Sequence, residues 1–474
     1  MSFLHLFEDN YGHKHYLTKE ISRGGQGVVF RTTDQNIAVK VCLDEYGEPI
    51  RDDTKNEKYN KIKLLPFPKG LNLTLPQAVL KGASGYVMTL LEDMSSFASL
   101  FSKDKYQPTE NEWLKLIAET NSECAKDFGR YITSGGARRR LEMYLRFAGL
   151  LSSLHCAGLV YCDISTKNVF GSSDTDKFNV WLIDSDNINY QAITVKGNNT
   201  FYTQGCAAPE LIEQGEASMY SDCYAFAICF FEDLTMSHPF KGKMYDEMLG
   251  DNSDAADNAE KQVFSGNEPW IYDTENRSNC GQSAIPAEFV LNGEMMALLQ
   301  RMFSEESRLS NILCRPTMPI LAEEIARLAD NTVRCERCGM DSVYSENCPW
   351  CNTKQRVIKL TSYRSENGKK HRKLWQFIRE CPEDLRISVP ERMITGFLPN
   401  SLDKTAFSAT AKNDGYYLSD FSPRTAQTTV YVKEADADYK EVRGSYISVN
   451  DCFTIKIENN SDNTAIIIEG SVVN

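Results

Sequence analysis

The stretch that decides the fold is residues 154–170, which read LHCAGLVYCDISTKNVF. Asp163 and Asn168 stand in it just after a segment whose apolar residues recur at the spacing of a buried helical stripe. A carboxylate can accept the proton of a hydroxyl group, and an amide oxygen can bind Mg²⁺. Because an isolated Asp and Asn more commonly cap a turn, the flanking motifs have to decide between the two interpretations.

Two upstream motifs favour phosphate binding. Residues 21–30 read ISRGGQGVVF, and residues 37–40 read IAVK. A glycine-rich turn between strands lets backbone N–H groups approach phosphate oxygens, because no Cβ stands in the way. Such a cluster alone is more often a plain hairpin turn, but Lys40 on the next strand could pair with the same phosphates.

A third motif lies downstream, where residues 180–186 read VWLIDSD. This is an apolar strand that ends in acids, and a carboxylate at a strand end is well placed to hold a metal ion. Solvated acids in a turn are the common alternative. Asp184 is therefore a candidate metal ligand only in combination with the other motifs.

In order, identity and spacing, these motifs resemble the eukaryotic-type protein kinases. The segment CAAPE at 206–210 resembles the one that closes the kinase activation region. Asp222 resembles the Asp that braces the catalytic loop, and Arg315 resembles the late arginine that pairs with Glu210. The resemblance implies an α+β, bilobal protein-kinase-like fold over residues 12–330, with an N-lobe at about 12–92 and a C-lobe at about 93–330.

The resemblance also assigns roles to individual residues. Asp163 would be the catalytic base, Lys40 would bind the α- and β-phosphates of ATP, and Asn168 with Asp184 would bind Mg²⁺ or Mn²⁺. Glu57 is preferred over Glu48 as the ion-pair partner of Lys40, because it lies in a helical pattern. The remaining residues assigned to nucleotide binding are Gly24, Gly25, Gly27, Val29, Ala38, Met88 and Leu90.

The chain departs from the kinase pattern at four places, the first of which is Ser22 in place of the first glycine of the loop. Cys162 replaces an arginine that binds a phosphorylated activation loop, Ser165 replaces a lysine beside the γ-phosphate, and Asp184-Ser-Asp186 replaces Asp-Phe-Gly. The pattern looks like an atypical bacterial branch of eukaryotic-like Ser/Thr kinases, some of which travel with a cognate phosphatase. Activity is expected not to depend on phosphorylation of Thr194, Thr200 or Thr203, and control is expected to come from residues 335–474.

Three functions remain open on this basis. The leading one is ATP- and Mg²⁺-dependent transfer of phosphate to Ser or Thr of a protein substrate, or autophosphorylation, in signalling or stress response. The alternative is a nucleotide-binding pseudokinase scaffold that recruits partners, which Ser165 and Asp186 motivate. A small-molecule phosphotransferase would share the Asp163 site, but the Ala-Pro-Glu segment and Arg315 argue for a protein substrate.

A separate motif predicts a metal site. Residues 335–338 read CERC and residues 348–351 read CPWC. Each C-x-x-C pair places two thiolates on one tight turn, and two such turns complete a tetrahedral Zn²⁺ site. Cys335, Cys338, Cys348 and Cys351 are the predicted ligands of a structural zinc ribbon at 331–358. A disulfide pair and a redox C-x-x-C are the other interpretations.

The rest of the chain is predicted to be β structure. A basic stretch, 354–379, is taken as a solvated linker or one ribbon strand, and residues 380–474 as a β-sandwich. The sandwich distantly resembles a forkhead-associated domain, but the phosphothreonine-reading residues of that family are not evident. Its predicted strands include Tyr416–Leu418, Thr428–Lys433, Gly444–Val449, Cys452–Ile457 and Thr464–Glu469.

Composition excludes several classes of protein. The chain has 474 residues with 42% hydrophobic and 25% charged residues, which is typical of a globular protein. A formal net charge of −13 argues against nucleic acid as a partner. The longest apolar runs, such as Tyr224–Phe231, are far shorter than the about 20 residues of a membrane span, and no signal peptide begins the chain. We therefore expect a cytoplasmic protein with no membrane partner.

Overall fold

The computed structural model is a mixed α and β protein. It describes residues 6–24, 27–102, 111–190, 203–213, 215–249, 256–399, 401–412, 415–425, 427–434, 437–462 and 464–473. Gly25 of the predicted nucleotide site lies outside these ranges, as do Thr194 and Thr200. Within these ranges, no helix is long and apolar enough to cross a membrane.

The first part of the chain forms an antiparallel six-stranded sheet with the strand order β1-β2-β3-β4-β6-β5. Side chains alternate across a strand, so Val39 and Val41 of β4 enter one apolar core while Lys40 and Cys42 face the other side, which helix α1 covers. The bounds are β1 Leu6–Glu8, β2 Lys14–Gly24, β3 Gly27–Thr32, β4 Ile37–Cys42, α1 Asn56–Ile62, β5 Ala78–Val79 and β6 Gly85–Thr89.

A largely helical region follows, with short strands between its helices. The helices are α2 Phe97–Leu100, α3 Glu112–Thr120, α4 Ser122–Thr133, α5 Gly136–Cys156, α6 Pro209–Ile212, α7 Met219–Thr235, α8 Lys243–Leu249, α9 Ala256–Phe264, α10 Ala287–Val290, α11 Gly293–Phe303, α12 Glu305–Leu309 and α13 Met318–Asp330. The strands are β7 Met94–Ser96, β8 Leu159–Val160, β9 Val169–Ser172, β10 Val180–Leu182 and β11 Asn189–Tyr190.

Helices α5 and α7 form the centre of this region. Helix α7 is apolar almost all round, and both helices contribute fully buried aromatic residues to one core. Ser218 begins α7 with a capping box, in which its side chain accepts from the backbone of the first turn. Since α5 ends at Cys156 and β8 begins at Leu159, the buried helix leads directly into the loop that carries Asp163.

The cysteine-rich segment forms a small hairpin beside the helices. Strands β12 Thr332–Arg334 and β13 Asp341–Val343 pair antiparallel. The first C-x-x-C pair lies in the turn between them, and the second follows β13. The two cysteine turns are thus joined by strand β13 and the residues that follow it.

Two antiparallel sheets make up the C-terminal region, in the orders β15-β14-β23-β22-β19-β20 and β16-β17-β18-β21. Buried residues of both sheets belong to one core. The elements are β14 Val357–Glu366, β15 Lys369–Glu380, β16 Arg386–Pro390, α14 Arg392–Thr395, β17 Thr405–Lys412, β18 Gly415–Ser419, β19 Thr428–Glu434, β20 Lys440–Glu441, β21 Tyr446–Val449, β22 Cys452–Asn459 and β23 Thr464–Val473. All five strands named from the sequence are present.

The predicted boundary at 380 is wrong. The basic stretch forms the hairpin β14–β15, and β14 pairs with β23 along its whole length. Leu360, Trp375 and Phe377 are fully buried because they face the core of the sheet, whereas the basic residues at 369–373 are exposed. The stretch is therefore a hairpin of the sheet and not a linker.

A buried charged contact joins this β region to the helices. Asp330, at the end of α13, is fully buried. It accepts two hydrogen bonds from Arg392 at 2.5 Å each and one from Trp375 Nε1 at 2.7 Å. Truncation after Asp330 would leave this carboxylate without its partners and uncover part of the core, so it cannot serve as a clean test of regulation by residues 335–474.

Candidate functional site

The charged cluster consists of Lys40, Asp163, Asn168, Asp184 and Asp186, which the fold brings together from three places. Lys40 is on β4, Asp163 and Asn168 lie between β8 and β9, and the two other acids follow β10. Lys40 Nζ donates to Asp184 Oδ1 at 2.8 Å although the two residues are 144 apart in sequence. The Ile183 N–H donates to the carbonyl of Asn168 at 3.0 Å, so the two loops lie side by side.

Two side chains fix the carboxylate of Asp163. Thr203 Oγ1 donates to Oδ1 at 2.9 Å, and Asn168 Nδ2 donates to Oδ2 at 3.2 Å. Burial raises the pKa of Asp163 and the charge of Asp184 raises it further, against the effect of these two hydrogen bonds. A fixed carboxylate with a raised pKa is suited to accepting a proton.

Thr203 was named from the sequence only as a possible phosphorylation position. Its contact with Asp163 spans 40 residues, and no local pattern in the sequence announces it. Replacing Thr203 together with Thr194 and Thr200 would therefore disturb the candidate base as well as remove a hydroxyl.

Asp222 braces the loop that carries Asp163. Its carboxylate accepts the backbone N–H of Tyr161 at 2.8 Å and that of Cys162 at 2.9 Å. Cys162 has a φ of 74°, a left-handed conformation that is costly for a residue other than glycine. Because both amides are held by one buried carboxylate, which His155 Nε2 also contacts at 3.0 Å, this conformation is stabilised by the fold.

A buried ion pair anchors the segment that follows Thr203. Arg315 makes two hydrogen bonds to the carboxylate of Glu210, at 2.8 and 2.9 Å, and Ser221 Oγ donates a third at 2.7 Å. Burial by itself raises the pKa of Glu210, but Arg315 and Ser221 hold it below its ordinary value. The resemblance paired Glu210 with Arg315, and the structure brings these two residues together.

The predicted ion pair between Lys40 and Glu57 is wrong. Glu57 has an exposed side chain and pairs with Lys61 one turn along α1 at 2.8 Å. Lys40 Nζ contacts Asp184 at 2.8 Å and Asp186 at 2.7 Å instead. Helix α1 has seven residues, and Tyr59, not the glutamate, is buried against the sheet.

The glycine turn has one open and one tightly packed glycine. A Cβ on Gly24 would meet none of the described atoms within 4 Å, whereas a Cβ on Gly27 would lie 2.7 Å from the carbonyl oxygen of Val41. The second glycine is thus required by the close approach of β4, and only the first leaves space beside the turn. The two residues face each other across β2 and β3.

The other residues assigned to nucleotide binding lie on the central strands, except Leu90, which follows the end of β6. Val29 pairs with Lys40 across β3 and β4, and Ala38 pairs with Met88 across β4 and β6. The Leu90 N–H donates to the carbonyl of Asn36 at 2.9 Å. This amide is therefore already bonded within the protein, and a backbone hydrogen bond from Leu90 to a nucleotide would have to use its carbonyl oxygen.

The charged cluster fits the donor set of a hard divalent cation. Asn168 uses its amide nitrogen for both of its side-chain bonds to Asp163, which leaves its side-chain oxygen for another partner. The side chain of Asp184 is 27% exposed, so its carboxylate is accessible. An amide oxygen and a carboxylate are ligands that Mg²⁺ accepts.

The four cysteines of the ribbon form a second, separate site. Their Sγ atoms all lie within 4.8 Å of one another. Cys335 and Cys351 are 3.6 Å apart, and Cys338 and Cys348 are 3.7 Å apart. A tetrahedral zinc ion with Zn–S bonds of about 2.3 Å needs sulfur atoms about 3.8 Å apart, whereas a disulfide needs about 2.05 Å. The cluster could therefore hold a metal such as zinc.

Trp350 docks this cysteine site on the helical region. Its ring packs against Trp113, Phe128 and Phe289, with centroids 6.4, 5.3 and 4.9 Å away, respectively. Asn111 Nδ2, at the start of α3, donates to the carbonyl of Cys338 at 2.8 Å. The cysteine turns thus pack against the helices and are bonded to the start of α3.

Asp341 makes a further link between the hairpin and α5. It accepts the Arg138 N–H at 2.9 Å and a bond from Arg334 Nε, also at 2.9 Å. A Cβ on Gly136 would lie 2.3 Å from Asp341 Oδ2. The first residue of α5 must therefore be glycine for the hairpin to come this close.

Comparison with known proteins assigns no family: no protein-family model matches the chain, and no curated protein matches it. The geometry of the two sites is thus the basis for inference about function.

Proposed function

We propose that this protein has a bilobal protein-kinase-like fold and transfers phosphate from ATP, with Mg²⁺ or Mn²⁺, to Ser or Thr of a protein, including its own. The observation that carries the proposal is the charged cluster. Three parts of the chain contribute side chains to this cluster, which include Lys40, Asp163, Asn168 and Asp184. A set of four such residues at these motif positions is what phosphoryl transfer requires.

Asp163 is proposed as the base. Its carboxylate would accept the proton of the attacking hydroxyl, and Thr203 and Asn168 hold it in one orientation. The brace from Asp222 to the backbone of Tyr161 and Cys162 fixes the loop. Such fixed positions reduce the reorganisation that the reaction needs.

The nucleotide and its metal ion would be held by the remaining members of the cluster. Lys40 would bind phosphate oxygens, and Asn168 and Asp184 would bind the cation. Bound Mg–ATP would supply the phosphoryl group and neutralise its charge. The open space at Gly24 supports a phosphate beside the turn between β2 and β3.

A protein substrate is supported by the segment that runs from Thr203 through α6. Residues 203–213 are tied at one end to Asp163 through Thr203 and at the other to Arg315 through Glu210. A segment fixed at both ends beside the base can present a surface to an extended peptide. A small-molecule phosphotransferase would not need this second anchor.

The test is phosphoryl transfer by purified full-length protein with labelled ATP and Mg²⁺ or Mn²⁺, alone and with a basic protein substrate. Transfer by the wild type that Asp163→Ala abolishes would support the proposal. Nucleotide binding is measured in parallel by calorimetry. Absence of both binding and transfer in the wild type, with zinc bound and the protein folded, would reject it.

A pseudokinase scaffold is the second candidate, and Ser165 favours it. Its hydroxyl is buried and has no hydrogen-bond partner among the described residues, at the position where the resemblance expects a lysine. Lys167, the nearby cation, is exposed. The absence of a lysine charge at position 165 would cost a few kcal/mol of transition-state stabilisation. ATP binding without transfer in the same assay would favour the scaffold.

A further inference from the structure

Lys40 is held by two carboxylates that differ in their surroundings. Asp184 Oδ1 lies 2.8 Å and Asp186 Oδ2 lies 2.7 Å from its Nζ. The side chain of Asp184 is 27% exposed, whereas that of Asp186 is 3% exposed. Only the first of these carboxylates is accessible to a ligand from outside.

Asp186 is also fixed on its other side. Tyr86, which is buried on β6, donates its hydroxyl to Asp186 Oδ1 at 2.9 Å. Each carboxylate oxygen of Asp186 thus has its own buried donor, one from the phenol and one from the ammonium group. Charge-assisted hydrogen bonds of this kind are among the strong ones in proteins.

Helix α1 offers Lys40 no acid. Its Glu57 points to solvent and pairs with Lys61, while Tyr59 fills the space next to the sheet. The ring of Tyr59 lies 4.6 Å from that of Tyr86, and its hydroxyl is 2.9 Å from Cys42 Sγ. Among the residues that the structure describes, only Asp184 and Asp186 come within ion-pair distance of Lys40 Nζ.

We propose that Asp186 is the positioning residue for Lys40, in the role that a helix α1 glutamate was predicted to fill. This inference rests on the proposed function. Asp184 would serve as a ligand of the metal ion, and Asp186 would keep Lys40 Nζ in place for the phosphate oxygens. The position of the lysine then depends on the loop after β10, not on the placement of α1.

The local backbone explains how one loop serves both tasks. Asp184 has φ 59° and ψ 64°, and a single 3-10 turn, Ser185–Asn187, follows it. This left-handed step is uncommon for a residue other than glycine, and it lets two acids two positions apart contact the same ammonium group. Strain of this kind persists where the surrounding contacts determine the conformation.

The test compares Asp186→Asn with Glu57→Gln, which removes the same charge from α1. Calorimetry of the full-length zinc-loaded protein would measure affinity for Mg–ATP, Mg–ADP and adenosine. Lys40 would contact the phosphates and not the adenine base. Asp186→Asn is therefore expected to lower the affinity for both nucleotides about tenfold or more, and the affinity for adenosine less than about twofold. Glu57→Gln is expected to change none of the three affinities by more than about twofold.

Tyr86→Phe is the second variant, and it carries the test if Asp186→Asn does not fold. It removes one of the two hydrogen-bond donors to Asp186 without changing the charge. A smaller loss of affinity is therefore expected, about threefold for ATP relative to adenosine. An equal loss for all three ligands would indicate only structural damage and would overturn the inference.

The failures of the two proposals are distinguishable. If the wild type binds ATP but Asp186→Asn binds it equally well, or if Glu57→Gln is the variant that loses ATP selectively, the positioning role is overturned and the proposed function stands. If the wild type binds no nucleotide at all, the proposed function is rejected and the inference falls with it.

Discussion

The charged cluster and the cysteine site are built in opposite ways. The cluster takes Lys40 from the first sheet and its acids from the helical region, where Asp184 and Asp186 lie 144 and 146 residues further along the chain. The cysteine site takes all four ligands from residues 335–351. The first site is therefore a product of the whole fold around it, whereas the second is encoded in one short segment.

This difference predicts different responses to damage. Residues drawn from distant elements are held by buried ion pairs and backbone hydrogen bonds, so a single substitution can remove function and leave the fold intact. Thiolates in a segment with a small core of its own depend on the metal for folding free energy. The predictions below test this contrast, from the largest expected effect to the smallest.

Asp163→Asn is expected to lower phosphoryl transfer by about 10² to 10⁴-fold, because it removes the proton acceptor and keeps the side-chain shape. Thermal unfolding and ATP affinity should stay close to those of the wild type. The matched control is Asp176→Asn, which changes an exposed acid in the loop before β10. Wild-type turnover in Asp163→Asn would show that this carboxylate is not needed for catalysis.

Replacing Cys338 and Cys348 together with serine should abolish binding of one zinc ion per chain. The expected loss of stability is about 4 kcal/mol or more, since the metal organises both turns and the Trp350 contact. Metal analysis and thermal unfolding measure the two effects. Cys452→Ser, an exposed cysteine, is the control, and full zinc retention in the double variant would contradict a zinc site.

Glu210→Ala should destabilise the protein by about 3 kcal/mol, because it leaves the buried guanidinium of Arg315 unpaired. Denaturant unfolding measures the change, and Glu213→Ala, an exposed residue in the same turn, is the control. Equal stability of the two variants would show that the ion pair is not an anchor. Zinc content should be unchanged, which separates this contact from the cysteine site.

Thr203→Val is expected to move the acid limb of the pH–rate profile to higher pH. The Thr203 hydrogen bond lowers the pKa of Asp163, which burial otherwise raises above its ordinary value, so removing the bond raises this pKa further. The base must be deprotonated to act, and activity is therefore lost at a higher pH on acidification. An unshifted limb would mean that Asp163 does not set it.

The smallest effect is expected for Thr194→Ala with Thr200→Ala. Cys162 is buried and neutral, and burial together with Asp222 raises the pKa of its thiol. It cannot pair with a phosphorylated residue as an arginine would. Transfer to an added substrate should stay within about twofold of the wild type, and loss of transfer with retained ATP binding would show dependence on phosphorylation in this segment.

Several features followed from the sequence because they are local. The two C-x-x-C turns, the apolar stripe of α5 and the strands of residues 415–473 each depend on spacing within a few residues. The resemblance also assigned Lys40 and Asp184 to one nucleotide site and paired Glu210 with Arg315, by the order of their motifs. In both cases the residue types and the order of the motifs were enough to predict which residues lie close together.

Other features depended on the tertiary structure. The basic stretch resembles a linker in sequence because charged residues separate its core residues, and only the pairing of β14 with β23 shows which residues are buried. Thr203 and Asp186 act through partners 40 and 146 residues away, which no spacing rule reaches. The helical pattern predicts Glu57 as the partner of Lys40, but helix α1 turns Tyr59 toward the sheet and leaves the Glu57 side chain exposed. Sequence periodicity fixes which side chains share a face, and packing between distant elements decides which of them meet.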